Sequence, residues 1–220
     1  MINGLVDLDI KLQRINDVFS IIERRATDKT VLNIGAAGGV RGYLPRKKDV
    51  WLHERIRKVS KYLIGTDIDA DAIAYAAQHG YDIKNENAET MTLSEKFELI
   101  VMSDVIEHVN APVTTIENLL THLSDNGRLI ITTPNATSGN IFLRGLVNKK
   151  INVLGDHVAT YYPEHFKVIC ERIGCQLENI YMFDFVDRRS TLLRFKSAIF
   201  KAMTFMSPRL ASSMMVVIKK

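Results

Sequence analysis

Residues 31–39 read Val-Leu-Asn-Ile-Gly-Ala-Ala-Gly-Gly, an apolar strand that runs directly into a loop of small residues. A second apolar run, 63–67, ends in Asp67. Glycine and alanine let a backbone come close to a ligand, and a carboxylate at the next strand end can accept hydrogen bonds from both hydroxyls of a ribose. The pairing suits an adenosine-containing cofactor without saying which. Farther along, Asp104, Glu107 and His108 directly follow the apolar run Phe97–Ser103. Imidazole titrates near neutrality, so His108 is the candidate general base, with Glu107 and Asp104 beside it. Two carboxylates and an imidazole can also hold a divalent ion that acidifies a hydroxyl. The simpler reading has the carboxylates cap and orient the loop while His108 works alone, and no metal is assigned.

The elements that must position these groups alternate between strand and helix. Leu8, Leu12, Ile15, Phe19 and Ile22 recur at helical spacing, which predicts an amphipathic helix over 6–26. Residues 40–50 read as loop and 51–62 as helix. Asp69 can N-cap a helix ending near Gly80, and a short strand follows at 81–84. The run 97–103 suits a central strand buried on both faces. Pro112 opens a helix with Val113, Ile116, Leu119, Leu120 and Leu123 as its inner stripe. The turn Asp125-Asn126-Gly127 leads into a strand over 128–133. Pro163 starts another helix, whose inner face is Phe166, Ile169, Cys170 and Ile173, and strands at 176–185 and 214–219 complete the pattern. Such alternation predicts an α/β, Rossmann-like, doubly wound and mostly parallel sheet in a single domain over 1–220.

Composition narrows the class further. With 220 residues and 46% apolar content the chain can build a full core. A net charge of +4 permits an anionic substrate and falls short of a nucleic-acid signature. No N-terminal stretch has a signal-peptide layout, and no apolar run approaches the roughly 20 residues of a membrane span, so a cytoplasmic setting is expected. Cys170 and Cys175 support neither a disulfide framework nor a zinc site, and read as buried thiols. His53, His79 and His122 read as surface residues. Within 187–210, basic residues alternate with Leu192, Leu193, Phe195, Ile199, Phe200, Met203 and Phe205. The favoured reading is an inserted helix that packs on the domain edge, covers a substrate as a lid, or joins a homodimer; peripheral membrane contact is the alternative.

Five motifs, taken in order, go beyond a generic nucleotide fold. After the glycine loop and Asp67 come Asn87-Ala88-Glu89, FELIVMSDVIEHV at 97–109, LSDNGRLIITTPN at 123–135 and DHVATYYPEHF at 156–166. This series, spanning about 28–185, resembles the class I S-adenosylmethionine-dependent methyltransferases. It is most similar to the branch with ubiquinone-biosynthesis O-methyltransferases and sugar- or natural-product-cluster enzymes. The resemblance implies a seven-stranded sheet with the last strand antiparallel. It also implies that Gly35, Ala36, Ala37 and Gly39 meet the methionine and ribose portions of the cofactor. Asp67 is implied for the ribose hydroxyls, Ile68 for the adenine face, Asn87 and Ala88 for the adenine edge, and Ser103 for the methionine end. Asn33 joins this set, standing where relatives usually carry an acid, as Ala37 stands where they carry glycine and Asn87 where aspartate is common. The Asp104–Glu107–His108 cluster resembles the E-x-x-E-H of metal-dependent relatives, among them small-RNA 2′-O-methyltransferases. The 156–166 segment, where His157 and His165 flank Tyr161 and Tyr162, is the part that closes over the acceptor in such enzymes. His157 is its expected substrate contact or added metal ligand, Tyr161 a further substrate contact, and His165 an exposed helix residue.

The expected activity is methyl transfer from S-adenosylmethionine, leaving S-adenosylhomocysteine, to a small-molecule or glycan hydroxyl. Two other classes compete with it. A non-catalytic cofactor-binding regulator fits Asn33, Ala37 and Asn87 but gives Glu107 and His108 no task. A metal-assisted RNA 2′-O-methyltransferase fits the D-x-x-E-H cluster but lacks an appended RNA-binding module. A nicotinamide oxidoreductase ranks below both, because the loop departs from G-x-G-x-x-G.

Overall fold

The computed structural model describes residue 4 and residues 6–148, 155–184 and 207–220. In chain order the elements are β1 (Gln13–Arg14), α1 (Val18–Ala26), β2 (Thr30–Ile34), α2 (Val40–Tyr43), α3 (Leu52–Val59), β3 (Tyr62–Asp67), α4 (Ala70–Ala77), β4 (Ile83–Asn85) and β5 (Phe97–Ser103). They continue with α5 (Pro112–Thr121), β6 (Leu123–Pro134), α6 (Gly139–Asn148), α7 (Pro163–Ile173), β7 (Gln176–Phe183) and β8 (Ser213–Lys219). The strands form one sheet in the order β1-β7-β8-β6-β5-β2-β3-β4. β8 runs antiparallel to both β6 and β7, and every other pairing is parallel.

Strand periodicity divides the core into two layers. Val31, Leu99, Val101, Ile130, Met215 and Val217 face α1 and α3, where Val18, Ile22, Ala26 and Ile56 are buried. Their neighbours Leu32, Ile100, Met102, Leu129, Ile131 and Val216 face α5 and α7, against Ile116, Leu119, Phe166 and Ile169. A strand apolar on both sides has to be covered on both, and that requirement makes the sheet doubly wound.

Several sequence expectations need correction. The sheet has eight strands rather than seven, because β1 adds to its edge. The helix expected over 6–26 is confined to Val18–Ala26, N-capped by Asp17, whose carboxylate accepts from Ser20 N at 3.0 Å. Leu8 and Leu12 pack on one layer of the core while Ile15 and Phe19 pack on the other. No single helix face serves both layers, so the chain crosses the sheet edge between them as β1, paired with Tyr181 and Met182. The stretch 40–50 holds α2 and a 3-10 turn at Lys48–Val50, drawn in by burial of Val40 and Leu44. α4 is N-capped by Asp69 as expected, the Asp69 carboxylate accepting from Ala72 N at 3.0 Å. Strand β6 starts at Leu123, ahead of the expected turn, with a register shift between its Leu123 and Arg128 pairings. α6 had no counterpart in the sequence reading. Of the inserted segment 187–210, residues 187–206 lie outside the described residues. Among the described residues, no helix is long and apolar enough to cross a membrane.

Candidate active site

β2 and β5 are adjacent, but β2 continues outward to β3 while β5 continues the other way to β6. A crevice opens beyond the carboxyl ends of strands at such a divergence. Gly35 lies at its floor with φ +70°, and a Cβ there would stand 2.4 Å from Cγ2 of Val105, which follows β5. Only glycine fits, in conformation and in space. Ala36 N donates to Thr66 O at 3.0 Å, and Ala37 N donates to Asp67 Oδ2 at 2.8 Å. The second carboxylate oxygen of Asp67 accepts from Asp69 N at 3.0 Å. Asp67 thus ties the tip of β3 to the glycine loop.

The alanine methyls point elsewhere. Ala36 and Ala37 are buried with Val40, Trp51, Ala72 and Ala76, so Gly38 and Gly39 form the loop's open edge. The extra methyl at Ala37 therefore fills the core. Ile68, directly after Asp67, leaves an apolar side chain 69% exposed. Asn87 is exposed and its Oδ1 accepts from Glu89 N at 2.8 Å, while Ala88 is buried with its carbonyl held by Asn118 Nδ2 at 3.0 Å. Ser103 Oγ meets Thr132 Oγ1 at 2.8 Å across the β5 and β6 ends. Asn33 is placed differently from the others. It is buried, and its Nδ2 donates to Nδ1 of His53 at 3.1 Å beneath the loop.

The second half of the site begins where β5 ends. Asp104 has φ +52° and its carboxylate accepts from Thr132 Oγ1 at 3.2 Å, so it is turned back toward β6. Glu107 is buried; its Oε2 accepts from Thr133 Oγ1 at 3.0 Å, and Oε1 has no partner. Burial, seconded by the charge of Asp104, pushes the Glu107 carboxyl up to about 7. His108 places its Nδ1 3.0 Å from the carbonyl of Asp156. A carbonyl only accepts, so Nδ1 carries a proton, and in the neutral ring the lone pair is on Nε2. The rings of His108 and His157 meet edge to face, centroids 4.6 Å apart. One donor atom each from Glu107, His108 and His157 lies within 4.8 Å of the others. The 156–162 segment is held over this cluster by Val158 N, which donates to Glu107 O at 2.9 Å.

Tyr161 is 5% exposed and its hydroxyl donates to Ile106 O at 3.2 Å, which spends the group on the fold; burial raises its pKa to about 12. Its neighbour Tyr162 is exposed instead, as is His165 on the first turn of α7. Two histidines expected at the surface are buried. His53 packs against Trp51 and Tyr81, and His122 accepts from Leu93 N through Nε2 at 3.0 Å. Sequence reasoning also missed Asn135, the last residue of the Thr-Pro-Asn motif. Its amide donates to Arg209 O and Ala211 O, both at 2.7 Å, and so clamps the approach to β8 onto the end of β6. A polar residue directly after a buried strand and a proline was the available signal. A cavity of about 460 Å³ lined by Arg25, Lys29, Glu98 and Arg128 lies at the opposite, amino-terminal end of the strands. Lys29 is paired with Glu98 and Arg128 with Glu178, and the cavity takes no part in this site.

A doubly wound sheet with a glycine loop and an acid on neighbouring strand ends defines a nucleotide-binding protein of the Rossmann-like class. The chain belongs to the methyltransferase-domain family, whose model matches residues 11–180, within the class I S-adenosylmethionine-dependent methyltransferases. A ubiquinone biosynthesis O-methyltransferase of Glaesserella parasuis serovar 5 (strain SH0165) is 30% identical over 122 residues, covering 50% of this chain and 47% of that protein. The matched stretch thus spans about half of that relative's length. Among solved structures, a methyltransferase of Bacillus halodurans C-125, itself described as putative, superposes with a TM-score of 0.60 at 15% identity, covering 92% of this chain and 96% of the other. Magnesium protoporphyrin IX methyltransferase of Synechocystis PCC 6803, with bound S-adenosylhomocysteine, gives 0.60 at 13% identity, covering 92% and 80%. These structural likenesses establish the fold.

Proposed function

We propose that the protein transfers the methyl group of S-adenosylmethionine to a hydroxyl of a small-molecule or glycan acceptor, with His108 as the general base. The observation that carries this reading is the hydrogen bond from Nδ1 of His108 to the Asp156 carbonyl, which in the neutral ring puts the lone pair on Nε2. The cofactor supplies an electrophilic methyl on a sulfonium. The chain supplies its placement: the backbone of Gly35, Ala36, Ala37 and Gly39 along the methionine and ribose, and Ile68 against the adenine. Asn87 and Ala88 lie at the adenine edge and Ser103 at the methionine end. Asp67 spends about two of its carboxylate's four lone-pair positions within the fold, leaving acceptors for the ribose hydroxyls.

His108 takes the acceptor proton as the new C–O bond forms, and the imidazolium is stabilised by neighbouring carboxylates. Glu107, half-ionised near neutrality, and Asp104 at the rim supply that negative charge. His157 contacts the acceptor from the overlying segment. In-line displacement needs little more from a protein than alignment and a base, and alignment alone supplies several kcal/mol. The relative's activity, O-methylation in ubiquinone biosynthesis, supports oxygen as the acceptor atom.

The test is a panel of hydroxylated acceptors with calorimetry on the same protein. His108→Ala is expected to bind S-adenosylhomocysteine as the parent does and to lose about 100-fold or more in kcat, the usual worth of a general base. Full turnover in that variant would place the base elsewhere.

A further inference from the structure

The two cysteines of the chain meet where α7 turns into β7. α7 gives way to Gly174, whose φ of +71° reverses the chain. Gly174 N and Cys175 N both donate to the carbonyl of Cys170, the second at 3.0 Å. A helix that ends on a left-handed glycine in this way sets the residue after the glycine against the one four places before it. Here those residues are Cys175 and Cys170. The main-chain bond keeps their Cα atoms no farther apart than about 7 Å, and a disulfide spans about 4.4–6.8 Å.

The surroundings of the two thiols differ. Cys170 is 2% exposed, in the core layer that holds Phe166 and Ile169. Cys175, expected to be buried as well, is half-buried and packs on the margin of the same layer. Hydrogen bonding between the thiols holds Cys175 below the usual thiol range and Cys170 above it. The more accessible sulfur is thus the one that ionises first, and the thiolate is the form that attacks a disulfide.

This corner stands apart from the cofactor crevice. Gln176, the first residue of β7, pairs with Lys219 of β8. Lys219 in turn pairs with Arg128, which lies beside Leu99 near the start of β5. The cysteines therefore sit at the amino-terminal end of the parallel strands, opposite the glycine loop and the turn that carries His108.

The geometry points to Cys170 and Cys175 as a modification site, a thiol pair that closes reversibly into an intramolecular disulfide by exchange with low-molecular-weight disulfides, independently of the crevice. The Cys175 thiolate attacks one sulfur of the small disulfide and expels the first thiolate. Cys170 then gives up its proton, and its sulfur attacks Cys175 Sγ and displaces the second thiolate. Two protein thiols are oxidised to one disulfide, and one small disulfide is reduced to two thiols that carry away the two protons. The ring closes between residues already joined through the main chain, so no element has to move.

The experiment incubates the reduced full-length protein in glutathione buffers from fully reduced to fully oxidised, traps free thiols by alkylation and reads the intact mass. The oxidising buffer is expected to leave a single chain two hydrogens lighter, with neither cysteine alkylated and no glutathione attached, and dithiothreitol should restore both thiols. Cys170→Ser removes the resolving thiol, so Cys175 should instead accumulate one glutathione. Cys175→Ser should take up none, because Cys170 is closed to solvent. The parent measurement decides the matter even where a variant fails to fold. A parent that keeps both thiols in oxidising buffer, or that ends as a glutathione adduct or a disulfide-linked dimer, overturns the pair. Calorimetry with S-adenosylhomocysteine should give the same affinity for the oxidised and reduced parent. A fall in affinity on oxidation overturns independence from the crevice. Absence of binding in both states would count against the methyl-transfer reading and leave the thiol pair standing.

Discussion

The amide of Asn33 and the imidazole of His53 meet at 3.1 Å in the interior, each 3% exposed, directly beneath the cofactor loop. Asn33 donates, so His53 accepts through Nδ1 and is neutral. His53 also closes the space under Gly65, where a Cβ would stand 2.6 Å from its ring. Gly65 lies opposite Asn33 in the β2–β3 register, two residues before Asp67. The pair therefore sets how the tips of β2 and β3 sit relative to one another.

That pair makes stability depend on pH. Burial lowers the His53 pKa from 6.5 to about 4, so the unfolded chain binds the extra proton between those values. The contribution is present above pH 6.5 and is lost as pH falls toward 4. Glu107, raised from 4.5 to about 7, runs the other way: its stabilisation is present below 4.5 and is lost as pH rises through 7. The parent profile is thus a partial cancellation, and the His53 term is visible as a difference. In urea unfolding, the destabilisation caused by His53→Asn should be about 2 kcal/mol smaller at pH 5 than at pH 7. An equal penalty at both values would mean His53 titrates normally.

Gly35→Ala is expected to weaken S-adenosylhomocysteine binding at least about tenfold and to lower Tm, since φ +70° and Val105 at 2.4 Å both oppose a methyl. Gly42→Ala is the matched control. It has open space and lies in α2, so it should leave binding unchanged and add up to about 1 kcal/mol of stability. Equal behaviour of the two variants would remove Gly35 from the crevice floor.

Asp67→Ala should cost at least about tenfold in S-adenosylhomocysteine affinity by calorimetry, because it removes a charged acceptor that hydrogen bonds place beside the loop. Unchanged affinity would take Asp67 out of the ribose site and leave it as a brace for Ala37 N.

Asn135→Ala should destabilise the fold by about 2–4 kcal/mol, since two backbone carbonyls, Arg209 O and Ala211 O, lose their donor in a buried setting. Chemical unfolding measures it. A loss under about 0.5 kcal/mol would mean that neighbouring contacts, not Asn135, hold the approach to β8.

Local rules carried the sequence a long way. The βα unit from Val31 to the glycine loop, the Asp69 cap, the Pro112 and Pro163 helix starts and the run Phe97–Ser103 all depend on interactions within a few residues of chain. Backbone propensity and periodicity encode such interactions directly, so these elements stand where they were expected. Fold class followed from their alternation, and the family from motif order.

Tertiary structure decided the rest, because the same side chain serves different ends according to what closes over it. Leu8, Leu12, Ile15 and Phe19 have helical spacing, yet they feed two opposite core layers with a strand between them. His53 and His122 look like surface residues until the sheet and loops bury them. Asp104 and Glu107 are neighbours in a motif, but backbone conformation turns one toward Thr132 and buries the other. His157 reaches Glu107 and His108 only because the chain after β6 returns across the strand ends and bonds to the Glu107 carbonyl. Contacts between distant segments depend on the whole packed fold, and no local pattern records them.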